Sequence, residues 1–322
     1  MKLGVVVLNW NGKDVTPRCL DSISHSSCPP DQIVVVDNAS TDGSAELIRG
    51  RYPQVVVIPN DSNLGFAEGN NVGIQYLLAR AFDLILLLNN DTVLDPESLC
   101  ELKRAAETQP AAAYGATIYE LSAPGKIWYC GGSISHLTLD ARHETVPANA
   151  HGGPRPTDFI TGCCLMFRAD ALRRIGLLDK DFFAYYEDVD WCLRAKAAGC
   201  RLLHVPSAVV HHDVSHSFRR AGAHDEGPAQ HSWTQSRPLV LYLAYRNRLL
   251  LARKHASGKL HLGFLVVRRV ARAALHAVLL ILVGRARHAR AVGEGTLDGL
   301  RRPPRAPRID RYFRAAAEEF RQ

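Results

Sequence analysis

Residues 33–43 read Ile33-Val34-Val35-Val36-Asp37-Asn38-Ala39-Ser40-Thr41-Asp42-Gly43. Four apolar β-branched residues run without a break and stop on a carboxylate and an amide. Such a run suits a strand buried on both faces of a parallel sheet, where a half-exposed strand would alternate. Ser40-Thr41-Asp42-Gly43 then supplies turn and helix-start chemistry ahead of a helical stretch over 44–51.

The same pattern recurs on either side. Residues 3–8, 55–58 and 84–88 are continuous apolar runs, and helical stretches lie at 15–24, 67–81 and 96–108. This β-α-β-α rhythm predicts an α/β fold: an open, mostly parallel sheet flanked by helices. Ligands of such sheets gather beyond the carboxyl ends of the strands. Asn9-Trp10-Asn11-Gly12 follows the first strand, Asp37-Asn38-Ala39-Ser40-Thr41-Asp42 the second, and Asn89-Asn90-Asp91 the run at 84–88. Three clusters of carboxylates and amides are thereby expected on one edge.

Downstream, 120–157 is rich in Gly, Pro, His and Ser and reads as an irregular excursion, mobile over 136–156. Residues 159–167 read as a strand and 169–175 as a helix. Glu187-Asp188-Val189-Asp190 opens a helix that stops at Gly199, and 201–210 is a strand ending on His211-His212-Asp213. Residues 215–238 are polar and read as loose. From 239 the pattern is helical and basic.

Several residues carry candidate chemistry. Asp91, one step beyond a buried strand, is placed to hold a divalent cation against a diphosphate, since Mg2+ or Mn2+ needs only one or two protein carboxylates when phosphate oxygens complete its shell. Asp37 is placed to accept hydrogen bonds from a base or from ribose hydroxyls, while Ser40 and Asp42 also suit a helix cap. In Asn63-Leu64-Gly65-Phe66-Ala67, Gly65 permits close backbone approach, ahead of a helix N-terminus that carries Asn70 and Asn71. Glu187, Asp188 and Asp190 crowd three carboxylates behind a stretch rich in aromatics. Enclosure and like charge raise a carboxylate pKa, which suits a general base, although acids at a helix start also simply complement its dipole. His211 or His212, at a strand end, is equally suited to complete a metal shell or to pack.

Composition bounds the rest. The chain has 322 residues, 47% of them hydrophobic, so it buries a sizeable core. Its +7 formal charge hides an asymmetry: residues 1–236 carry 20 Lys/Arg against 27 Asp/Glu, residues 237–322 carry 19 against 5. A basic tail points to an anionic partner. Within it, His261, Arg268, Arg269, Arg272 and His276 recur at helical spacing among apolar residues. That spacing predicts a helix lying on an anionic membrane surface through 239–290, with a basic helix packed on the body as the alternative. Sparse aromatics and the lack of any nucleic-acid motif argue against nucleic acid. The N-terminus has no signal-peptide pattern and no run reaches a membrane-spanning length, so a cytoplasmic protein, peripheral at the inner face of the cytoplasmic membrane, is expected. The eight cysteines lack Cys-x-x-Cys spacing and read as buried, reduced thiols.

Taken in order, Val6-Val7-Leu8-Asn9-Trp10-Asn11-Gly12, Val35-Val36-Asp37-Asn38-Ala39-Ser40-Thr41-Asp42-Gly43, Asn63-Leu64-Gly65-Phe66-Ala67, Leu88-Asn89-Asn90-Asp91 and Tyr185-Tyr186-Glu187-Asp188-Val189-Asp190-Trp191 resemble glycosyltransferase family 2, with its GT-A fold, over residues 3 to about 215. The Asn-Leu-Gly-Phe-Ala and Tyr-Glu-Asp-x-Asp blocks are most similar to rhamnosyltransferase-like members of polysaccharide and cell-wall assembly. The resemblance implies a catalytic domain over 1–236, split into a nucleotide-binding half (1–118) and an acceptor half (119–236), followed by the helical tail 237–322. It implies a dTDP- or UDP-sugar donor held by Asp37 and its neighbours (Asn9, Asn11, Asn38, Ser40, Asp42, Gly65, Asn70, Asn71, Asn90). It also implies Mg2+ or Mn2+ at Asp91 with His211 or His212, and Asp188 as base, with Glu187 and Asp190 beside it. The implied reaction inverts the anomeric carbon and glycosylates a saccharide or polyprenyl-diphosphate-linked acceptor.

Two departures qualify it. The usual Asp-x-Asp is Asn89-Asn90-Asp91 here, with one carboxylate. No Gln-x-x-Arg-Trp follows Asp188, which favours single addition over polymerisation. A sugar nucleotidyltransferase would need a Gly-rich basic signature after the first strand, and a non-catalytic nucleotide-sugar-binding scaffold would be expected to lose Asp91 or Asp188.

Overall fold

In a computed structural model, which describes residues 1–147, 152–214 and 238–301, the apolar runs form four strands of a ten-stranded sheet. Strands β1 (Leu3–Asn9), β2 (Gln32–Asp37), β3 (Val56–Pro59) and β4 (Leu84–Asn89) are parallel in the order β3-β2-β1-β4. Helices α1 (Thr16–Ser24), α2 (Ser44–Arg51) and α3 (Gly65–Leu78) connect them. Val6, Val35 and Leu86 are wholly buried, as two-sided burial requires.

Helix α3 approaches the sheet through glycines spaced four apart. A Cβ on Gly69 would lie 2.6 Å from Leu8 Cδ1, and one on Gly73 would lie 2.5 Å from Val6 Cγ1. Gly65, at φ 80°, abuts Phe183, whose carbonyl accepts from Ala67 N at 3.0 Å. The space that its missing side chain leaves is filled by Phe183.

Beyond β4 the chain forms β5 (Thr92–Leu94), α4 (Ser98–Thr108) and β6 (Ala113–Glu120). Residues 120–147 and 152–157 are more regular than expected, with short strands β7 (Ile127–Tyr129), β8 (Gly132–Ile134), β9 (Ala141–His143) and β10 (Arg155–Pro156). Residues 148–151, within the stretch expected to be mobile, lie outside the described residues. The strand expected at 159–167 is shorter, β11 (Cys164–Arg168), because residues 159–162 bond instead to Tyr129, Cys192 and Asp188. After α5 (Ala169–Ile175) and α6 (Glu187–Ala197), β12 (Leu202–His212) runs parallel to β6 and antiparallel to β5. Strand β11 sits antiparallel between β4 and β6, so the sheet is mixed, with the parallel block β4-β1-β2-β3 at one end.

Cys28 and Cys100 are joined in a disulfide, against the reading of all cysteines as reduced. Their separation of 72 residues hid the pairing, which follows from the docking of the 26–27 turn on Pro96. Cys19, Cys130, Cys163, Cys164 and Cys192 are buried free thiols, and burial pushes the Cys19 thiol up to about 12.

The chain divides into two compact units: residues 1–135, 140–183 and 187–214, and residues 136–139 and 184–186 with 215–322. The expected boundary at 236/237 and all but the last residue of the expected loose stretch 215–238 fall outside the described residues. The second unit contains α7 (Pro238–His255), α8 (Lys259–Leu282) and α9 (Ala286–Leu300). Helices α7 and α9 meet closely, with Tyr242 donating to Asp298 at 3.0 Å and Gly295 lying against the Tyr242 backbone. The expected basic stripe on α8 is corrected. Arg269 and His276 are buried, Arg269 donating to Thr138 O at 2.7 Å and His276 meeting the Tyr245 hydroxyl at 2.6 Å. The outward face carries Leu260, Phe264, Val267, Leu275, Val278 and Leu282. Among the described residues no helix is long and apolar enough to cross a membrane.

Gly73→Val would press a branched side chain onto the rigid Val6, and a loss of about 1–3 kcal/mol in urea unfolding is expected. Gly50→Ala, in α2 with open space at its Cβ, should instead gain roughly 0.5–1 kcal/mol.

Candidate active site

The carboxyl edge of the parallel block is organised by Asn9. Its buried Nδ2 lies 2.7 Å from Asp37 Oδ1, 2.9 Å from Ser44 Oγ and 3.1 Å from Ser40 Oγ, so its two hydrogens serve three acceptors. Asn9 Oδ1 accepts from Thr16 Oγ1 at 2.7 Å, and Thr16 Oγ1 accepts from Asn90 Nδ2 at 2.9 Å. Gly12 lies over this knot, where a Cβ would fall 2.2 Å from Thr16 Oγ1 and 2.5 Å from Asn90 Nδ2. Strands β1, β2 and β4 and helices α1 and α2 are thus tied at one point.

The neighbouring candidates also bond to protein. Asn11, at φ 52°, accepts from Thr41 N at 2.7 Å and donates its own N–H to Ser40 Oγ at 2.8 Å. Asp42 accepts from Ser44 N, at the first residue of α2, and from Lys13 N, while Gly43 occupies the cap position itself. Asp37 Oδ2 accepts from Ser40 N at 3.1 Å. Asn38 is buried and binds Asn60, Asn63 and the Gly65 carbonyl, which fixes the loop into α3. Asn70 donates to Phe66 O inside its own helix. Asn71 grips both the N–H and the C=O of Leu178, at 3.1 and 2.9 Å, so its carboxamide is taken up in fastening α3 to the 178 loop. Trp10 stays exposed at the same edge.

Asp91 follows directly from β4, and the β5–β12 register sets His212 opposite Thr92 and His211 opposite Val93. Alternation along a strand sends these two side chains to opposite faces. His212 Nε2 lies 3.2 Å from Asp91 Oδ1, and both residues are buried. His211 faces away, stacked on Tyr119 at 5.9 Å. The Trp128 ring, which sequence reading did not single out, meets His212 at 5.0 Å and His143 at 4.5 Å. Burial lowers His143 to about 4, which keeps its ring uncharged near neutral pH.

Three carboxylates begin α6, and they differ. Asp190 is wholly buried and paired with Arg194 at 2.9 Å, whose guanidinium also holds the Ile175 and Leu177 carbonyls. Glu187 is buried with Oε2 lacking a hydrogen-bond partner, and burial, followed by the Asp188 charge, raises it well above the ordinary glutamate range. Asp188 is half-buried. Its Oδ2 accepts from Gly162 N at 2.9 Å and its Oδ1 from Val189 N at 2.7 Å, and burial raises its pKa. Next to Gly162, the Cys163 carbonyl accepts from Asn89 N at 3.0 Å, so one turn links Asp188 to the end of β4.

A family model described as glycosyltransferase like family 2 matches residues 2–223. The chain belongs to this family. It is a glycosyltransferase. The N-acetylglucosaminyl-diphospho-decaprenol L-rhamnosyltransferase of Mycobacterium tuberculosis is 29% identical to it over 268 residues, covering 76% of this chain and 85% of that one. A dTDP-rhamnosyl transferase of Shigella flexneri is 23% identical over 273 residues, 84% of this chain and 86% of that one. Among solved structures, a mannosyltransferase from Pyrobaculum calidifontis in complex with GDP-Man and Mn2+ superposes with a TM-score of 0.55 at 16% identity, covering 99% of this chain and 86% of that one. S. aureus TarS in complex with UDP does so with a TM-score of 0.55 at 16% identity, covering 100% and 92%. These likenesses establish the GT-A fold of the enzyme.

The raised pKa of Glu187 sets a pH dependence. Its neutral form is favoured in the folded enzyme, so this contribution to stability is full below the ordinary value of 4.5 and is lost as pH rises through the folded value. Glu187→Gln stays neutral. As pH rises above the ordinary glutamate value, wild type should lose stability relative to Glu187→Gln in chemical denaturation.

Proposed function

We propose that the enzyme transfers a sugar, L-rhamnose as the best-supported choice, from a dTDP- or UDP-linked donor to a saccharide or polyprenyl-diphosphate-linked acceptor, with inversion and in single additions. The observation that carries this reading is Asp188. It is the one acid at the start of α6 that is both partly exposed and fixed by a backbone N–H of the turn beside β4, whereas Glu187 is buried and Asp190 is neutralised by Arg194. A single available carboxylate suits a base for direct displacement. The acceptor hydroxyl oxygen forms its bond to the anomeric carbon, Asp188 takes the hydroxyl proton, and the nucleoside diphosphate leaves with the electron pair of the broken bond. The sugar and acceptor follow the activities of the Mycobacterium and Shigella relatives.

Asp91 and His212 are the residues to hold the divalent cation, Mg2+ or Mn2+. Both ring nitrogens of His212 are buried without a hydrogen-bond partner, and one faces the Asp91 carboxylate, a donor set that suits a divalent cation. Among the described residues no group of three His, Cys, Asp or Glu side chains is arranged to hold a metal ion, so the diphosphate oxygens would complete the shell. Once bound, the cation supplies positive charge against the departing diphosphate. The knot around Asn9 and Asp37 shapes the edge where the nucleoside sits. Residues 1–118 form the donor half, 119–236 the acceptor half and 237–322 the attachment region. The enzyme works at the cytoplasmic face of an anionic membrane, where a lipid-linked acceptor resides. The outward apolar face of α8, with exposed Lys259 and Arg272 on the same helix and Arg287 and Arg290 on α9, supports that placement.

Asp188→Asn should reduce kcat by roughly 10²–10⁴-fold while leaving the affinity for dTDP unchanged; turnover near wild type would remove Asp188 as the base. His212→Ala should weaken Mn2+-dependent donor binding more than His211→Ala, as read by calorimetry with and without chelator. In flotation with phosphatidylglycerol vesicles the intact enzyme should rise with the lipid, and Leu275→Glu with Leu282→Glu should leave it at the bottom.

A further inference from the structure

Immediately before Glu187, the backbone adopts a conformation that residues with a Cβ avoid. Phe183, Tyr185 and Tyr186 have φ of 63°, 71° and 75°. Three bulky aromatics within four residues in left-handed conformation persist only where the surroundings hold them there. The support comes from consecutive residues of α7. Asn247, wholly buried, donates from Nδ2 to the Ala184 carbonyl at 2.8 Å and to the Tyr185 carbonyl at 2.9 Å. Arg246, also buried, donates from Nη1 to Asn247 Oδ1 at 2.8 Å and so fixes which way the carboxamide points. Arg248 Nε donates to the Tyr186 hydroxyl at 2.6 Å, with its guanidinium 5.8 Å from that ring. Residues 184–186 thereby belong to the second compact unit, although the chain on either side belongs to the first.

Only a side chain with two donors on one atom at this reach satisfies both carbonyls. Leucine has none, and aspartate would set two acceptors against two acceptors. We propose that Asn247, oriented by Arg246, is a positioning residue for Asp188. It locks the left-handed turn at 183–186 and so sets where α6 begins and where its second residue, Asp188, is presented. This rests on the reading of Asp188 as the base. Without the lock the turn relaxes toward right-handed conformations and the start of α6 shifts, while the knot around Asn9, which holds the donor edge, is untouched.

The test uses the full chain, with Asn247→Leu and Asn247→Asp; the second keeps the pairing with Arg246 should the first fail to fold. Turnover, dTDP affinity and amide exchange by mass spectrometry are compared with wild type. Both variants should lose kcat by roughly 10- to 100-fold, as a misplaced catalytic group does, with the dTDP Kd within about twofold. Exchange should quicken in peptides spanning 182–192 and stay slow in β1 and β4. Adding Tyr185→Gly should restore part of the lost kcat, because glycine adopts the left-handed conformation without support. Wild-type kcat in a folded variant overturns the proposal. So does a loss of kcat matched by equal losses of dTDP affinity and of protection throughout the sheet, which would mark Asn247 as a general packing residue. Exchange at 182–192 is independent of which residue is the base, so a fully active Asp188→Asn would sink the base assignment without being mistaken for failure of the lock.

Discussion

Asn9 lies fully buried at the end of β1, with Asp37, Ser40 and Ser44 around one nitrogen and Thr16 on its oxygen. Parallel strands leave their carboxyl ends without hairpins to bind them together, so something else must fix β1, β2 and β4 relative to one another at that edge. Here a side-chain network does it in a region of low dielectric, where each bond is strong and each unmet group is costly. Gly12 is part of the same constraint, because any side chain there would enter the knot. The position of Asp91, and through the turn at Gly162 and Cys163 that of Asp188, follows from this fixed edge.

The second constraint is register. An antiparallel partner brings β12 against β5 so that His212 pairs with Thr92, and a slip of one residue would exchange His212 for His211 at Asp91. The two adjacent histidines were indistinguishable in sequence, because spacing says nothing about which face of an unpaired strand is buried.

The parallel block was legible from sequence because two-sided burial leaves unbroken apolar runs such as 33–36 and 84–88. The carboxyl-edge location of the polar clusters was legible for the same reason. Their division of labour was not. Asn11, Asn38, Asp42, Asn70 and Asn71 read as ligand groups, and the structure adds that each is bonded to protein, since a polar residue at an edge builds the edge. The glycine spacing at 65, 69 and 73 is a packing signal that could have been read as one. On α8 the periodicity was visible but its sense was reversed, because buried arginine and histidine satisfied by Thr138 and Tyr245 leave the apolar residues outside. The Cys28–Cys100 bond and the grip of Asn247 depend on contacts across 72 and about 60 residues, which no local pattern reports.

The course of the chain through residues 184–186 has a consequence for biosynthesis. These three residues leave the ribosome long before α7, whose Asn247 anchors them. Domains generally fold as they emerge, N-terminal part first. The sheet therefore forms while the turn ahead of α6 is still without its anchor. In a nascent or prematurely terminated chain the Ala184 and Tyr185 carbonyls lack the two bonds from Asn247.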